Sequence, residues 1–190
     1  VKTLHYDSYS DFRRALLNVS LKNNASSYIG IKNSFQKASS NSDSDILHAL
    51  WYDTTHTVEN FITPKNIEQL DKAITLMMEA SRINLLGLRS SRTVSLYLES
   101  AIDRFYPHVR QLSNESEFLY DKIFRLSAEE DIIIIFSAWP CTKRTIDVSA
   151  ICRDRHVPII LVTNTSLNPI ARYADIVIDT NSVNSGCGIL

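Results

Sequence analysis

The 190-residue chain predicts an α/β protein built on a doubly wound, five-stranded parallel sheet flanked by helices, flavodoxin-like in order, with an N-terminal helical extension. Three observations carry this. Apolar runs at residues 83–87, 109–112, 132–136, 159–163 and 176–179 read as strands without polar alternation, the pattern of a sheet covered on both faces. Helical segments at 91–104, 117–126 and 143–154, and a short turn near 169–173, separate them, so each strand is reached by a right-handed crossover. Two of the runs end in hydroxyl-bearing turns that open helices. One reads Arg82-Ile83-Asn84-Leu85-Leu86-Gly87-Leu88-Arg89-Ser90-Ser91, the other Asp131-Ile132-Ile133-Ile134-Ile135-Phe136-Ser137-Ala138-Trp139-Pro140-Cys141-Thr142. Such a turn gathers backbone N–H groups, hydroxyls and a helix N-terminus around one point, which suits a phosphate.

In chain order, residues 10–21 read as a short helix, with Ser10 as N-cap, Asp11 in the first turn and an apolar stripe of Phe12, Ala15, Leu16 and Val19. From about 18 to 45 the composition shifts to Ser and Asn, the mark of a linker, with a short amphipathic piece at 28–35. A second helix is expected after Ser44, with Ile46, Leu50, Asp53, Thr57 and Phe61 at helical spacing. Thr63-Pro64 then supplies an N-cap and a first-turn proline. The following helix places Ile67, Leu70, Ile74 and Met77 on one face expected to be buried, with Met77 and Met78 as core filler. Trp51 and Trp139 read first as packing residues.

A net charge of −1 gives no global pull toward nucleic acid or an acidic membrane surface. The three cysteines, Cys141, Cys152 and Cys187, are odd in number and lack CxxC spacing, which points to reduced thiols in a cytoplasmic protein. The histidines form no HxxxH or HExxH pattern, which argues against a metal site. No apolar run reaches membrane-spanning length, so no membrane partner is expected. Of G-x-G-x-x-G only Gly87 is present, which argues against a dinucleotide cofactor. No other cofactor is expected.

With these residues in view, the stretch 82–180 resembles a SIS (sugar isomerase) domain, the phosphosugar-binding module, and the layout resembles RpiR-type bacterial transcriptional regulators. The match runs through Gly87 and the Ser90-Ser91 pair, then Ser137 and Thr142, then Pro158-Ile159-Ile160-Leu161-Val162-Thr163. It ends with Asn168-Pro169-Ile170-Ala171 and Ala174-Asp175, similar to the family's "T…SPLA..AD". Upstream, Tyr9-Ser10-Asp11-Phe12-Arg13-Arg14-Ala15-Leu16 resembles the last helix of a helix-turn-helix head. The resemblance implies a division into residues 1–22, a remnant of that head; 23–45, the linker; and 46–190, the SIS domain with leading helices. It also implies a fragment of a longer regulator, acting as a homodimer or higher homo-oligomer, with DNA bound through the N-terminal domain of the full-length protein.

Carried over by position, Ser91 stands at the family's phosphate-contacting serine, and Ser137 and Thr142 at the outer members of its second loop, S-x-S-G-x-T. The expected phosphosugar-binding set is Gly87, Arg89, Ser90, Ser91, Ser137 and Thr142, with no catalytic residue. Three departures stand out. Arg89 replaces the second glycine of G-x-G-x-S, and either adds a charge-assisted contact to phosphate or fills the ligand's space. Trp139 either stacks on a sugar or blocks it. Pro140 removes a backbone donor. Each site residue also has a plain alternative: Gly87 as a strand-end glycine, Ser137 and Thr142 as helix caps, Arg89 as a surface arginine, and Lys143-Arg144 as a solvated first turn.

Three functions follow. The first is a sensor that binds a phosphorylated sugar without reacting it and so alters DNA binding by a dimer. The second is an aldose–ketose phosphate isomerase, which needs a carboxylate base and commonly a histidine; Glu99 and His108 are the available pair. The third is a SIS dimerisation module without a ligand. The sequence favours the sensor, and thus a non-enzyme.

Overall fold

A computed structural model describes residues 43–182 apart from residue 116. The expected helix at 10–21, the linker up to residue 42 and Cys187 lie outside the described residues. The chain divides into two compact units, the second running from Asn60 to Asn181.

In the first unit, helix α1 (Asp43–Phe61) begins just ahead of the expected start after Ser44. Trp51 is 68 % exposed on it, against the expectation of a packing residue.

The second unit holds helix α2 (Pro64–Glu79), then β1 (Arg82–Gly87), α3 (Ser91–Ile102), β2 (Val109–Gln111), α4 (Leu119–Phe124), β3 (Asp131–Phe136), α5 (Lys143–Asp154), β4 (Ile159–Thr163), a 3-10 turn (Pro169–Arg172) and β5 (Ile176–Asp179). All strand pairs are parallel, in the order β2-β1-β3-β4-β5. This is the doubly wound arrangement expected from the apolar runs, with its reversal of strand order between β1 and β3. Thr63 caps α2, its hydroxyl accepting from the Asn66 amide at 3.1 Å, with Pro64 in the first turn. The α4 helix is shorter than the expected 117–126 because Phe118 supplies no side-chain cap, and the amides of Arg125 and Leu126 fold back three residues to Lys122 and Ile123.

Alternate residues of each strand feed two cores. Leu86, Ile133, Ile135, Ile159 and Leu161 pack with Leu119 and Ile123 of α4 and Val148 and Cys152 of α5. On the other face Ile83, Leu85, Ile132, Ile134 and Ile160 pack with Ala73 of α2 and with Leu98 and Ile102 of α3. The buried face of α2 is partly rotated from the expected one: Leu70 and Met77 pack against the core as expected, but the other two positions do not. Asn66 and Ala73 are buried, whereas Ile67 (50 %), Ile74 (56 %) and Met78 (75 %) are exposed, so Met78 is not core filler. Ala73 brings the helix close to the sheet, and Asn66 ties it there by donating to the carbonyls of Phe61 (2.9 Å) and Asp179 (2.7 Å).

The amino edge of the sheet is held by charge. Arg82 grips Asp131 across the β1–β3 pair with two bonds, Nε to Oδ1 at 2.9 Å and Nη2 to Oδ2 at 2.7 Å. Asn84 Nδ2 and the Ser127 amide complete the cage at 3.0 and 2.8 Å. Burial pushes the Asp131 carboxyl up, but the bonds from Arg82, Ser127 and Asn84 outweigh it and hold the group down at about 2. A depressed folded value means stability that is full above the unfolded carboxylate value near 4 and is lost as pH falls toward 2. We expect Arg82→Ala to destabilise by about 3 kcal/mol in urea unfolding at pH 7, because it strands a buried carboxylate. The loss should shrink between about pH 4 and 2 as Asp131 protonates.

Candidate functional site

The six-residue β1–β3 register sets Gly87 beside Phe136, so the turns leaving the two strands start next to each other at the carboxyl edge. In open α/β sheets that edge, at the reversal of strand order, is where ligands bind. The turns carrying Arg89–Ser91 and Ser137–Thr142 therefore leave the same edge of the sheet from adjacent strands, and the space between them is the candidate crevice.

Gly87 serves the crevice by its shape. A Cβ there would collide with the backbone carbonyl of Ser91 and touch Ser95 Cβ at 3.0 Å, so only glycine lets α3 begin this close to the strand end. Its N–H is committed to Ser113 Oγ at 2.8 Å. Ser113 Oγ in turn meets Ser95 Oγ at 3.1 Å, and Ser95 donates to Gln111 Oε1 at 2.9 Å. This polar cluster ties the end of β1 to the loop after β2.

Arg89 adopts φ 58, the left-handed region that favours glycine, at the place where the resembled pattern has one. Its side chain is exposed at the crevice edge. Ser90 sits at the N-cap of α3 without a side-chain capping bond, so its hydroxyl is not consumed by the helix. Ser91 follows in the first turn, half-buried; the next amides, of Arg92 and Thr93, already turn back to the carbonyls of Arg89 and Ser90 at 3.2 and 3.3 Å.

On the β3 side, Ser137 is 6 % exposed; its amide donates to the Val162 carbonyl at 3.0 Å and its carbonyl accepts from Asn168 Nδ2 at 2.9 Å. Thr142 is the N-cap of α5, accepting from the Thr145 amide at 3.2 Å, with its hydroxyl 2.8 Å from that of Thr145. Between them Trp139 donates its amide to Asn164 Oδ1 at 2.7 Å and precedes a cis bond to Pro140. Cys141 is half-buried, and burial pushes its thiol up, the wrong direction for a nucleophile. Cys152, in the core, is pushed up to about 12 by the same cause.

The loop after β4 was not anticipated as part of the site. Asn168, fully buried, donates to the Ser137 carbonyl and to Thr163 Oγ1 (3.0 Å), and accepts from the Ile170 amide (3.0 Å). With Asn164 it clamps the loop that carries Ser137 and Trp139. The available signal was the polar cluster Thr163-Asn164-Thr165 directly after an apolar run.

Of the isomerase pair, His108 stands at the opposite edge, whereas Glu99 reaches the polar cluster behind Gly87 through Gln111. The His108 carbonyl accepts from the Ile83 amide at the amino end of β1, the edge opposite Gly87. Glu99 lies along α3, with an oxygen 3.5 Å from Gln111 Nε2. Among the described residues no His, Cys, Asp and Glu group could hold a metal ion. An open cavity of about 570 Å³ lies at the amino edge, lined by Asp71, Glu79, Asp175 and Lys72 among others. Its acidic wall disfavours a phosphate.

Gly87→Ala should destabilise by about 2 kcal/mol or more in thermal or urea unfolding, the scale of an overpacked site, since the added methyl meets backbone on α3.

Residues 76–186 match the SIS domain family. An uncharacterized HTH-type transcriptional regulator of Thermotoga maritima is 20 % identical over 153 residues, which cover 78 % of this chain and 52 % of that protein. The chain thus spans about half the length of the curated relative it matches. Among solved structures, the sugar isomerase domain of an RpiR transcription factor from Sphaerobacter thermophilus superposes with a TM-score of 0.62 at 23 % identity, covering 70 % of this chain and 73 % of that one. The Vibrio vulnificus NanR protein complexed with ManNAc-6P superposes with a TM-score of 0.65 at 15 % identity, covering 98 % of this chain and 66 % of that one. These structures share the fold, and the family match, extending over more than half of the sequence, establishes that the chain belongs to the SIS domain family.

Proposed function

We propose that this chain is the ligand-sensing part of a transcriptional regulator, binding a sugar phosphate without reacting it. The observation that carries the reading is the meeting of two helix starts, α3 and α5, at the adjacent ends of β1 and β3, with His108 at the opposite edge. First-turn amides and the hydroxyls of Ser90 and Ser91 are suited to a group carrying about −1.5 to −2 charges. Arg89 and Lys143 add positive charge near these turns, while the Arg144 guanidinium lies 5.5 Å from the centre of the Tyr120 ring. Thr142 acts by capping α5, which aims those amides at the ligand, and Gly87 by letting α3 start at the strand end.

The relatives named above support the regulatory setting: one is an HTH-type regulator and one binds ManNAc-6P. In the full-length protein, a head N-terminal to this domain binds DNA, and two copies act together. The effector shifts that dimer only through unequal affinity for its two arrangements. A helix start offers amides that can hold a phosphate, and proton transfer would need His108 and Glu99 together, which lie toward different edges of the sheet. The setting is cytoplasmic, consistent with reduced thiols; among the described residues no helix is long and apolar enough to cross a membrane. A ligand-free dimerisation module is the second reading, favoured by the bulk of Trp139 and the lost amide of Pro140.

Isothermal titration with a panel of phosphosugars decides between them. Ser91→Ala is expected to weaken the tightest binder about tenfold without loss of thermal stability. Heat signals identical in wild type and Ser91→Ala would remove the residue from the site, and a panel without any heat would favour the ligand-free module. Arg89→Gly should raise stability by about 1 kcal/mol, relieving the left-handed backbone, while weakening phosphosugar binding.

A further inference from the structure

The loop between β3 and α5 contains a donor with nothing to bond. The indole Nε1–H of Trp139 is enclosed by the fold and has no acceptor. Buried donors without acceptors are rare in folded proteins, and each asks for an explanation. The other such atom among the described residues, Asn84 Oδ1, belongs to the Arg82–Asp131 cage at the opposite edge, where the same side chain makes two bonds through Nδ2.

Trp139 has no comparable network around its ring. Its backbone amide is fixed on Asn164, so the side chain is anchored at its root in the candidate crevice. A second irregularity lies in the turn that leaves the neighbouring strand: Arg89, two residues past Gly87, is held at φ 58. Two broken local rules at the ends of adjacent strands mark a place shaped by something other than stability.

The chemistry of the loop is consistent with a change in what it grips. Pro140 has no amide, so the loop has lost one donor to a phosphate. Trp139 supplies a donor of a different kind, a flat apolar face with one N–H at its edge and no acceptor of its own. That combination fits a sugar, which offers C–H faces and oxygen acceptors, better than it fits a bare phosphate.

We propose that Trp139 is a specificity-determining residue whose indole N–H donates to an oxygen of the sugar portion of a phosphosugar, while α3 and α5 hold the phosphate. The inference rests on the sensing reading. Because Nε1 is enclosed in the structure, forming this bond requires the indole to turn, so its surroundings change when the sugar arrives. The protein has two tryptophans, Trp51 and Trp139, and Trp51→Phe leaves the second as sole reporter.

The test has two arms on the full chain. In Trp51→Phe, indole emission is followed during titration with ManNAc-6P, glucose 6-phosphate and inorganic phosphate. A spectral shift with at least one phosphosugar and none with inorganic phosphate is expected. In the second arm, calorimetry compares wild type with Trp139→Phe, which keeps an aromatic ring and deletes the N–H. The tightest phosphosugar should lose about tenfold in affinity, the scale of one hydrogen bond to a ligand, while inorganic phosphate is bound as before. Phosphosugar affinity unchanged in Trp139→Phe, or an emission shift equal for phosphosugar and inorganic phosphate, overturns the proposal and leaves the sensing reading standing. A wild-type chain that binds none of the phosphosugars removes both. If Trp139→Phe does not fold, the emission arm alone decides.

Discussion

The parallel pairing of β1 with β3 is the constraint on which the rest of the second unit depends. Its six register pairs run from Arg82–Asp131 to Gly87–Phe136. One end is closed by an ion pair and the other opens into two helix starts. A slip by one residue would put Asn84 and the isoleucines of β3 on the wrong faces. It would also separate Arg82 from Asp131 and pull the two turns out of line. Core, charge cage and the alignment of the two turns are therefore joint consequences of one register.

The two edges of the sheet differ in chemistry. At the amino edge Asp131 is satisfied by Arg82, Asn84 and Ser127, and Arg153 pairs with Asp175 at 2.6 Å. These groups are consumed by structure. At the carboxyl edge the hydroxyls of Ser90 and Ser91 and the guanidinium of Arg89 remain unspent, and positive charge gathers around the first turns of α3 and α5. The uncommitted polar groups thus stand at the end of the sheet opposite the ion pairs.

Much of this was legible in the sequence. Strand positions came from uninterrupted apolar runs such as Ile132–Ile135, which only a doubly covered sheet accommodates. The opening of α5 came from Thr142, because a hydroxyl cap is a local event. What stayed hidden was non-local. The spacing of Ile67, Leu70, Ile74 and Met77 resembles a buried stripe, yet Ile67 and Ile74 are exposed and Ala73 faces the sheet, since helix rotation is set by the partner surface and not by period alone. Asn168 and Ser113 read as loop residues, and their roles exist only because β4 and β2 bring them against Ser137 and Gly87. Arg89 was visible as a missing glycine, but the left-handed backbone it adopts was not.

The anchoring bond between Arg82 and Asp131 joins residues 49 apart, and no strand pair in the second unit is a hairpin. Parallel order makes every ladder a long-range closure, paid in chain entropy before any contact rewards it. The crevice thus has no partial version during biosynthesis: a nascent chain that has emerged only as far as α4 carries Gly87 and Ser91 but not the neighbour they need. The juxtaposition of the two helix starts arrives all at once, when the middle of the sheet closes.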